Sequence, residues 1–459
     1  MTLSKDQINR YMRHISIPKI SEQGQKKILG SSVVLFSENP DMASLALYYL
    51  AASGVGQIYC RFTDTSGWEA LYRSLLDLNS DAKIQLQNSK ALESSEGQAT
   101  SRIIVGSPAF VNETLQYIIK SNCPEKYIPS IVSIYNGWSG VIRTLTDWIT
   151  FEGFASEMKV YDICVGSFNC SDNLSCSFSS LMAVIEQLKL TLALGKPLSE
   201  ALYYDLSSME FDFSSSSSDL FCKLFNPMIQ ENDFDALTDS KVLIIGCGGL
   251  GSAAAFALTS SGIGGLGLVD YDNVEISNLS HQIMHSASRI GMKKVQSGEM
   301  FLKQINPNVR LETYNFTINR ENVQDVISSY DIIIGDLDNL PDGYILNDAC
   351  HAAKKPLIEA AALDISGLAA TIIPDYGHSC SSIFSESIDN SSLSSFYETG
   401  VLGPVPGVIG IIQAAEAIKL LTGIGVSLKN KILLFDVFDT DIYVADHSKN
   451  SFYELNRQK

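Results

Sequence analysis

The chain has 459 residues, 45% of them hydrophobic, and a formal net charge of −18. That is enough length for two or three domains with sizeable cores, and the wrong sign of charge for a general polyanion binder, whose affinity comes from Lys and Arg neutralising phosphates. No nucleic acid is expected as a partner, and a basic or neutral protein suits the charge better.

The opening residues, Met1 to His14, lack the basic start and apolar stretch of a signal peptide, and the longest apolar segment near the other end, Gly407 to Leu421, contains Glu416 and Lys419. No membrane span is expected and a cytoplasmic location is the default. The nine cysteines include no CxxC pair of the kind that marks a structural zinc or a redox site. Cys164, Cys170 and Cys176 recur at a spacing that suits neither a helix face nor a zinc knuckle.

In chain order, Arg10-Tyr11-Met12-Arg13-His14-Ile15 comes first. Ser32 to Phe62 then reads as a βαβ unit: a β-branched run from Val33 to Phe36, an Ala/Leu-rich helix, and a Gly-Val-Gly turn into a second strand. Val184 to Gly195 predicts an amphipathic helix carrying Glu186 and Lys189, followed by a strand from Ala201 to Leu206. The five-serine run Ser214 to Ser218, flanked by Asp212 and Asp219, has a composition that orders poorly and marks a linker over 207–239.

Ser240 to Asp270 aligns without a gap to Ser32 to Phe62 and predicts the same unit again. Ala414 to Gly423 and Lys431 to Val437 repeat the later helix and strand. The chain is therefore expected to be α/β, with two tandem Rossmann-like domains built on central, mostly parallel sheets: 1–206 and 240–459. A Ser-rich acidic stretch, Ser385 to Ser395, reads as a mobile loop in the second domain.

The chemistry gathers in the second copy. Gly246, Gly248, Gly249 and Gly251 stand between a strand and a helix, where glycines let the backbone approach a phosphate and the helix N-terminus stabilises its charge. Asp270 ends the next strand, where a carboxylate can accept hydrogen bonds from both ribose hydroxyls. Up to this point NAD and ATP are equally supported.

The segment Asp270 to Gln282 (DYDNVEISNLSHQ), followed by Gly291-Met292-Lys293-Lys294, resembles the ThiF/MoeB/HesA family of ubiquitin-activating-like adenylating enzymes. That family has Asp-x-Asp-x-Val-x-x-Ser-Asn-Leu-x-Arg-Gln and then Gly-x-x-Lys. The resemblance continues through Ile305-Asn306-Pro307, Asp338-Asn339, Tyr344 to Cys350, Lys355-Pro356-Leu357 and Thr399 to Gly407. These blocks have no place in an NAD-dependent oxidoreductase.

The resemblance implies an enzyme that binds ATP and magnesium and joins AMP to the C-terminal carboxylate of a small ubiquitin-like or sulfur-carrier protein, releasing pyrophosphate. Relatives that modify ribosomally made precursor peptides make a peptide substrate an alternative. By position Lys294 would sit on the phosphates and Asp338 would hold magnesium. Asp270, Asp272, Asn278, His281, Gln282 and Asn339 would contact nucleotide together with the four loop glycines.

Members of the family usually act as dimers in which an arginine near one N-terminus reaches ATP in the other subunit. Arg13 matches that arginine. In the first copy the loop glycines are replaced by Glu38, Pro40, Asp41 and Ala43, and Asp270 by Phe62. Leu224 to Ser240, ahead of the second copy, holds no arginine. The losses are complementary and imply a pseudo-dimer within one chain, in which the first half lends Arg13 to a single ATP site in the second.

Three departures stand out. His281 replaces the arginine of Asn-Leu-x-Arg-Gln, which weakens the electrostatics on a polyphosphate. The zinc-binding CxxC pairs of many members are missing, the first falling at Ser379 and Ser382, so no zinc is expected. Cys380 is the single cysteine near the position where some relatives form a thioester or persulfide, and the chemistry is expected to stop at the acyl-adenylate. A degenerate, non-catalytic peptide- or protein-recognition module of the same fold is the rival reading, favoured by His281 and opposed by Lys294, Asp338 and the intact glycines.

Overall fold

A computed structural model describes residues 2–87, 99–121, 127–160, 170–214, 217–224, 235–336, 340–374, 400–429 and 431–446. The β-branched runs form buried strands in two eight-stranded sheets. The first contains β1 (Ser32–Ser37), β2 (Gln57–Phe62), β3 (Lys83–Leu86), β4 (Ser101–Gly106), β5 (Ser130–Asn136), β6 (Ser139–Leu145), β7 (Ala201–Asp205) and β8 (Glu210–Ser214). The second contains β9 (Lys241–Ile245), β10 (Gly265–Val269), β11 (Arg310–Tyr314), β12 (Ile332–Asp336), β13 (Leu357–Leu363), β14 (Ser366–Ile372), β15 (Lys431–Asp436) and β16 (Asp441–Asp446).

The strand orders are β3-β2-β1-β4-β5-β6-β7-β8 and β11-β10-β9-β12-β13-β14-β15-β16. In each sheet the first five positions are parallel and the last three strands are added antiparallel. The expected tandem Rossmann-like architecture is what the chain adopts. A crevice opens where the order reverses, between β9 and β12 in the second sheet, the usual place for a ligand in such folds.

Four helices pack between the sheets: Pro40–Ser53 and Cys170–Leu192 from the first half, Gly249–Ser260 and Pro404–Thr422 from the second. One hydrophobic cluster runs through all four and both sheets. Small residues set the close approach. A Cβ on Gly410 would come within 2.4 Å of the Leu250 carbonyl, and one on Gly407 within 2.7 Å of the Tyr49 ring of the other half.

The predicted amphipathic helices are core helices instead. Pro404–Thr422 is the one helix among the described residues long and apolar enough to cross a membrane, but it is 83% buried inside the protein. Its Lys419 reaches Glu416 at 2.5 Å, and Lys189 reaches Glu186 at 2.6 Å, with all four side chains buried. A charge pair at that spacing reads in sequence as a solvated face, and here it is satisfied internally. Glu186 accepts from Thr144 Oγ1 and the Leu198 amide at 2.7 Å each. Glu416 accepts from Thr371 Oγ1 at 2.6 Å and the Leu428 amide at 2.7 Å.

The halves also interlock reciprocally. The Lys196 amide donates to the Phe438 carbonyl at 2.9 Å, and the Val426 amide donates to the Ser207 carbonyl at 2.8 Å. The proposed linker over 207–239 needs correction, because Glu210–Ser214 pairs with β7 as an edge strand and Ser217–Leu224 forms a helix whose Leu220, Phe221 and Leu224 enter the first core. The first domain therefore runs to Leu224. The serine-rich composition hid alternate apolar residues that close its outer face. Ser385 to Ser395 lies outside the described residues.

Candidate active site

The glycine loop connects β9 to the helix Gly249–Ser260. Gly246 has φ +100°, a backbone region closed to other residues in practice. Its amide donates to the Val269 carbonyl at 2.8 Å. A Cβ on Gly251 would lie 1.9 Å from the Gly246 carbonyl oxygen, so a side chain there would break the turn. Gly248 caps the helix without any side-chain hydrogen bond, which leaves the first helical amides open to an anionic ligand.

Beside this loop is a cavity of 480 Å³, within the usual size for a small-molecule site. Gly246, Gly248, Gly249, Asp270, Asp272, Asn278, His281, Gln282 and Lys294 all line it, and so does Arg13 from the first half. Gly251, in the first turn of the helix, does not line the cavity and instead packs against the Gly246 carbonyl to shape the loop. Tyr271, Phe316, Ile318 and Leu346 add an apolar side. Tyr271 and Leu346 stand inside the blocks Asp270 to Gln282 and Tyr344 to Cys350, whereas Phe316 and Ile318, just after β11, carry no spacing signal in the sequence.

The carboxylate of Asp270 accepts from the Cys247 amide and from the Asp272 amide, both at 2.8 Å. Lys294 sits at the start of the helix Lys294–Ile305 and is buried. Its Nζ is 2.8 Å from Asp272 Oδ2 and 4.0 Å from Asp270 Oδ2. Burial works against its charge, but Asp270 and Asp272 overcome that and raise its pKa. The cavity thus holds a lysine that stays charged, beside two carboxylates.

Asn278 accepts the Glu275 amide at 2.8 Å and so fixes the turn that carries the cavity wall. His281 is buried, and burial, helped by the positive charges of Arg13 and Lys294, keeps its pKa well below the ordinary value. It is a neutral imidazole in the cavity wall. The amide nitrogen of Gln282 lies 3.2 Å from His281 Nε2, while Gln282 Oε1 is buried without a hydrogen-bond partner. An orphaned acceptor on a cavity wall fits a ligand that brings a donor.

The Arg-Tyr-x-Arg motif divides its labour between the halves. Arg10 Nη1 donates to the Leu78 carbonyl at 2.8 Å. Tyr11 is fully buried and donates to Asp81 at 2.9 Å while accepting from Asn79. Both fasten the first helical turns to the first domain. Arg13 faces the other way, and its carbonyl accepts the Val401 amide at 3.0 Å. His14 also crosses: its Nε2 accepts the Gly403 amide at 3.0 Å.

The corresponding corner of the first sheet is closed. Glu38 stands where Gly246 does, and its carboxylate accepts from the Ser107 amide at 3.0 Å and the Tyr135 hydroxyl at 3.2 Å. Asn39 caps the helix Pro40–Ser53 by accepting the Met42 amide at 3.0 Å. One helix N-terminus is satisfied by its own chain and the other is left open.

Asp338, Asn339, Ser379, Cys380 and Ser382 lie outside the described residues. Among the described residues, no three His, Cys, Asp or Glu side chains converge as for a metal ion. Cys60, Cys176, Cys247 and Cys350 are buried thiols that form no disulfide; burial pushes Cys350 up to about 12 and raises Cys60 and Cys247 as well. These three are poor nucleophiles.

The ThiF family profile matches residues 222–452, half of the chain. The chain is 39% identical over 210 residues to adenylyltransferase and sulfurtransferase MOCS3-1 of Zea mays, covering 46% of this chain and 45% of that one. It is 40% identical over 203 residues to adenylyltransferase and sulfurtransferase MOCS3 of Xenopus laevis, covering 44% and 45%. It is 41% identical over 205 residues to the MOCS3 protein of Drosophila virilis, covering 44% of each. The matched segment thus spans less than half the length of these relatives. The solved structure of PaaA shares 22% identity at a TM-score of 0.42, over 46% of this chain and 74% of that one.

Proposed function

Because the chain belongs to the ThiF family, we propose that it is an adenylyltransferase that activates the C-terminal carboxylate of a small ubiquitin-like or sulfur-carrier protein, or of a ribosomally made peptide. The observation that carries this reading is the meeting of Arg13, the open glycine loop and charged Lys294 on one cavity. Relatives named as adenylyltransferases support the reaction class.

In the proposed reaction a substrate carboxylate oxygen attacks the α-phosphorus of ATP. The bond from that phosphorus to the oxygen bridging to the β-phosphate breaks, and pyrophosphate leaves with the electron pair. Negative charge grows on the phosphoryl oxygens, so fixed positive groups lower the barrier. Lys294 and Arg13 supply that charge, the loop amides cradle the phosphates, and Asp270 receives the ribose hydroxyls. Magnesium falls to Asp338 by the family resemblance and would neutralise phosphate charge there. The first half, with Glu38 seated over its strand ends, holds no nucleotide and serves as donor of Arg13, which makes the chain its own pseudo-dimer.

The test is ATP–pyrophosphate exchange with a candidate Gly-Gly-ending ubiquitin-like protein or a short precursor peptide. Substrate-dependent exchange is expected. His281, neutral where the resemblance calls for arginine, favours a second reading in which the chain binds its partner and nucleotide without turnover. Tight binding of both with no exchange would select that reading.

A further inference from the structure

A run of three buried side-chain hydrogen bonds leads from the first half to the cavity wall of the second, and one of them, His14 to Gly403, crosses between the halves. The Gly403 amide can only donate, so His14 Nε2, 3.0 Å away, must accept and the ring proton sits on Nδ1. Nδ1 lies 3.0 Å from Gln25 Oε1, which accepts that proton's hydrogen bond. Gln25 Nε2 then donates to the Ser53 carbonyl at 2.9 Å, at the end of the helix Pro40–Ser53. His14 and Gln25 are both fully buried.

The far end of this chain is the cavity wall. Gly403 caps the helix Pro404–Thr422, and Val401 and Pro406 on either side of it line the cavity. There is no room for slack, since a Cβ on Gly403 would come within 2.5 Å of the Ser280 carbonyl and 3.3 Å of His14 Nε2. The neighbouring Arg13 carbonyl holds the Val401 amide. Two consecutive residues of the first half therefore grip the same short segment of the second, Val401 to Gly403, one by backbone and one by side chain.

We propose that His14 is a positioning residue, which sets Arg13 over the phosphates by locking the first half to Gly403 through the Gln25 relay. The inference rests on the adenylation reading for its effect on rate, but the clamp itself is a separate physical claim. Burial keeps the ring neutral, with its pKa lowered to about 4, so the acceptor Nε2 stays available throughout the neutral range. A phenyl ring fills the same space and leaves the Gly403 amide and the Gln25 amide oxygen unpartnered.

The experiment pairs activity with amide exchange in the full chain. His14→Phe is expected to lower kcat for ATP–pyrophosphate exchange roughly ten- to hundredfold while KM for ATP moves by less than about threefold, because the lost interaction acts on the transition state. His14→Gln, whose side-chain oxygen can still reach Gly403, is expected to recover most of the rate. In an Arg13→Ala background His14→Phe should add little, since both act through one guanidinium.

Hydrogen–deuterium exchange of the Gly403 amide should quicken about tenfold or more in His14→Phe, with the middle of the helix Pro404–Thr422 unchanged. Should His14→Phe fail to fold, His14→Asn carries the same expectations, because its shorter amide can serve Gln25 but not Gly403. Wild-type kcat together with unchanged Gly403 protection would overturn the proposal. If the unaltered chain shows no pyrophosphate exchange, it is the adenylation reading that fails. The clamp is then decided by the amide data alone, and unchanged protection overturns it.

Discussion

The carbonyl oxygen of Arg13 accepts the amide of Val401 at 3.0 Å. A residue at the start of the first half is thereby tied through its backbone to the cavity wall of the second. Arg13→Ala should keep this bond and the fold. We expect exchange activity to drop by about a hundredfold or more, with the melting temperature within about 2 °C of the unaltered protein. Arg13→Lys should recover part of the loss, because an ammonium keeps the charge but lacks the planar fork. Steady-state exchange kinetics beside thermal melts check both.

Lys294 is held between Asp272 and Asp270 in a buried setting. Lys294→Met leaves those carboxylates unpaired and removes the charge opposite the phosphates. ATP affinity measured by calorimetry should weaken by roughly a hundredfold, and ADP, with fewer phosphates, should lose less. Equal losses for both nucleotides would remove Lys294 from the terminal phosphates.

In the proposed reaction Asp270 receives the ribose hydroxyls. Asp270→Asn keeps one oxygen, enough for either the Cys247 or the Asp272 amide, and weakens hydroxyl recognition. The preference for ATP over 2′-deoxyATP should shrink by about tenfold, read from competitive binding. An unchanged preference would place the ribose elsewhere.

Acid stability follows from the buried histidines. His14 is lowered to about 4 and His285 to about 3, in both cases first by burial, against an ordinary 6.5. Between those values the unfolded chain binds protons that the folded chain excludes. Stability is therefore full above pH 6.5 and falls as the pH drops, by up to about 1.4 kcal/mol per pH unit for each histidine. Urea unfolding from pH 7 to pH 5 should show a shallower decline for His14→Gln than for the unaltered protein. Parallel declines would contradict the burial of a neutral His14.

The twin pairs Lys189–Glu186 and Lys419–Glu416 occupy matching places in the helix layer. Breaking one partner strands a buried carboxylate, which costs about 3–5 kcal/mol. Lys189→Met and Lys419→Met should each lower the urea midpoint by similar amounts without changing the steepness of a single transition, because one core spans both halves. Two separate transitions would show that the halves unfold independently.

Much of this was legible in the sequence because it rests on local rules. Paired β-branched runs, the Gly-Val-Gly and Gly-Ile-Gly turns and the glycine loop each satisfy a backbone requirement that few other residues meet, so the two sheets and the loop could be read directly. Tertiary effects were harder. Lys419 and Glu416 look like surface residues until Thr371 and the Leu428 amide are seen to satisfy the carboxylate. The serine-rich segment looks like a tether until Phe221 and Leu224 are seen in the core. The apolar side of the cavity, with Phe316 and Ile318, is brought together by distant elements and leaves no spacing to read.

In the proposed pseudo-dimer one chain completes one site, with Arg13 and Lys294 on the same cavity. The most direct measurement is ATP–pyrophosphate exchange by the unaltered chain, by Arg13→Ala, by Lys294→Met, and by an equimolar mixture of the two variants. Exchange is expected from the unaltered chain alone, with the mixture as inactive as its components, since each variant lacks part of its own site. Activity restored on mixing would mean that the arginine acts between chains, and unimpaired turnover by Arg13→Ala would mean that it does not act at all; either result would contradict the claim.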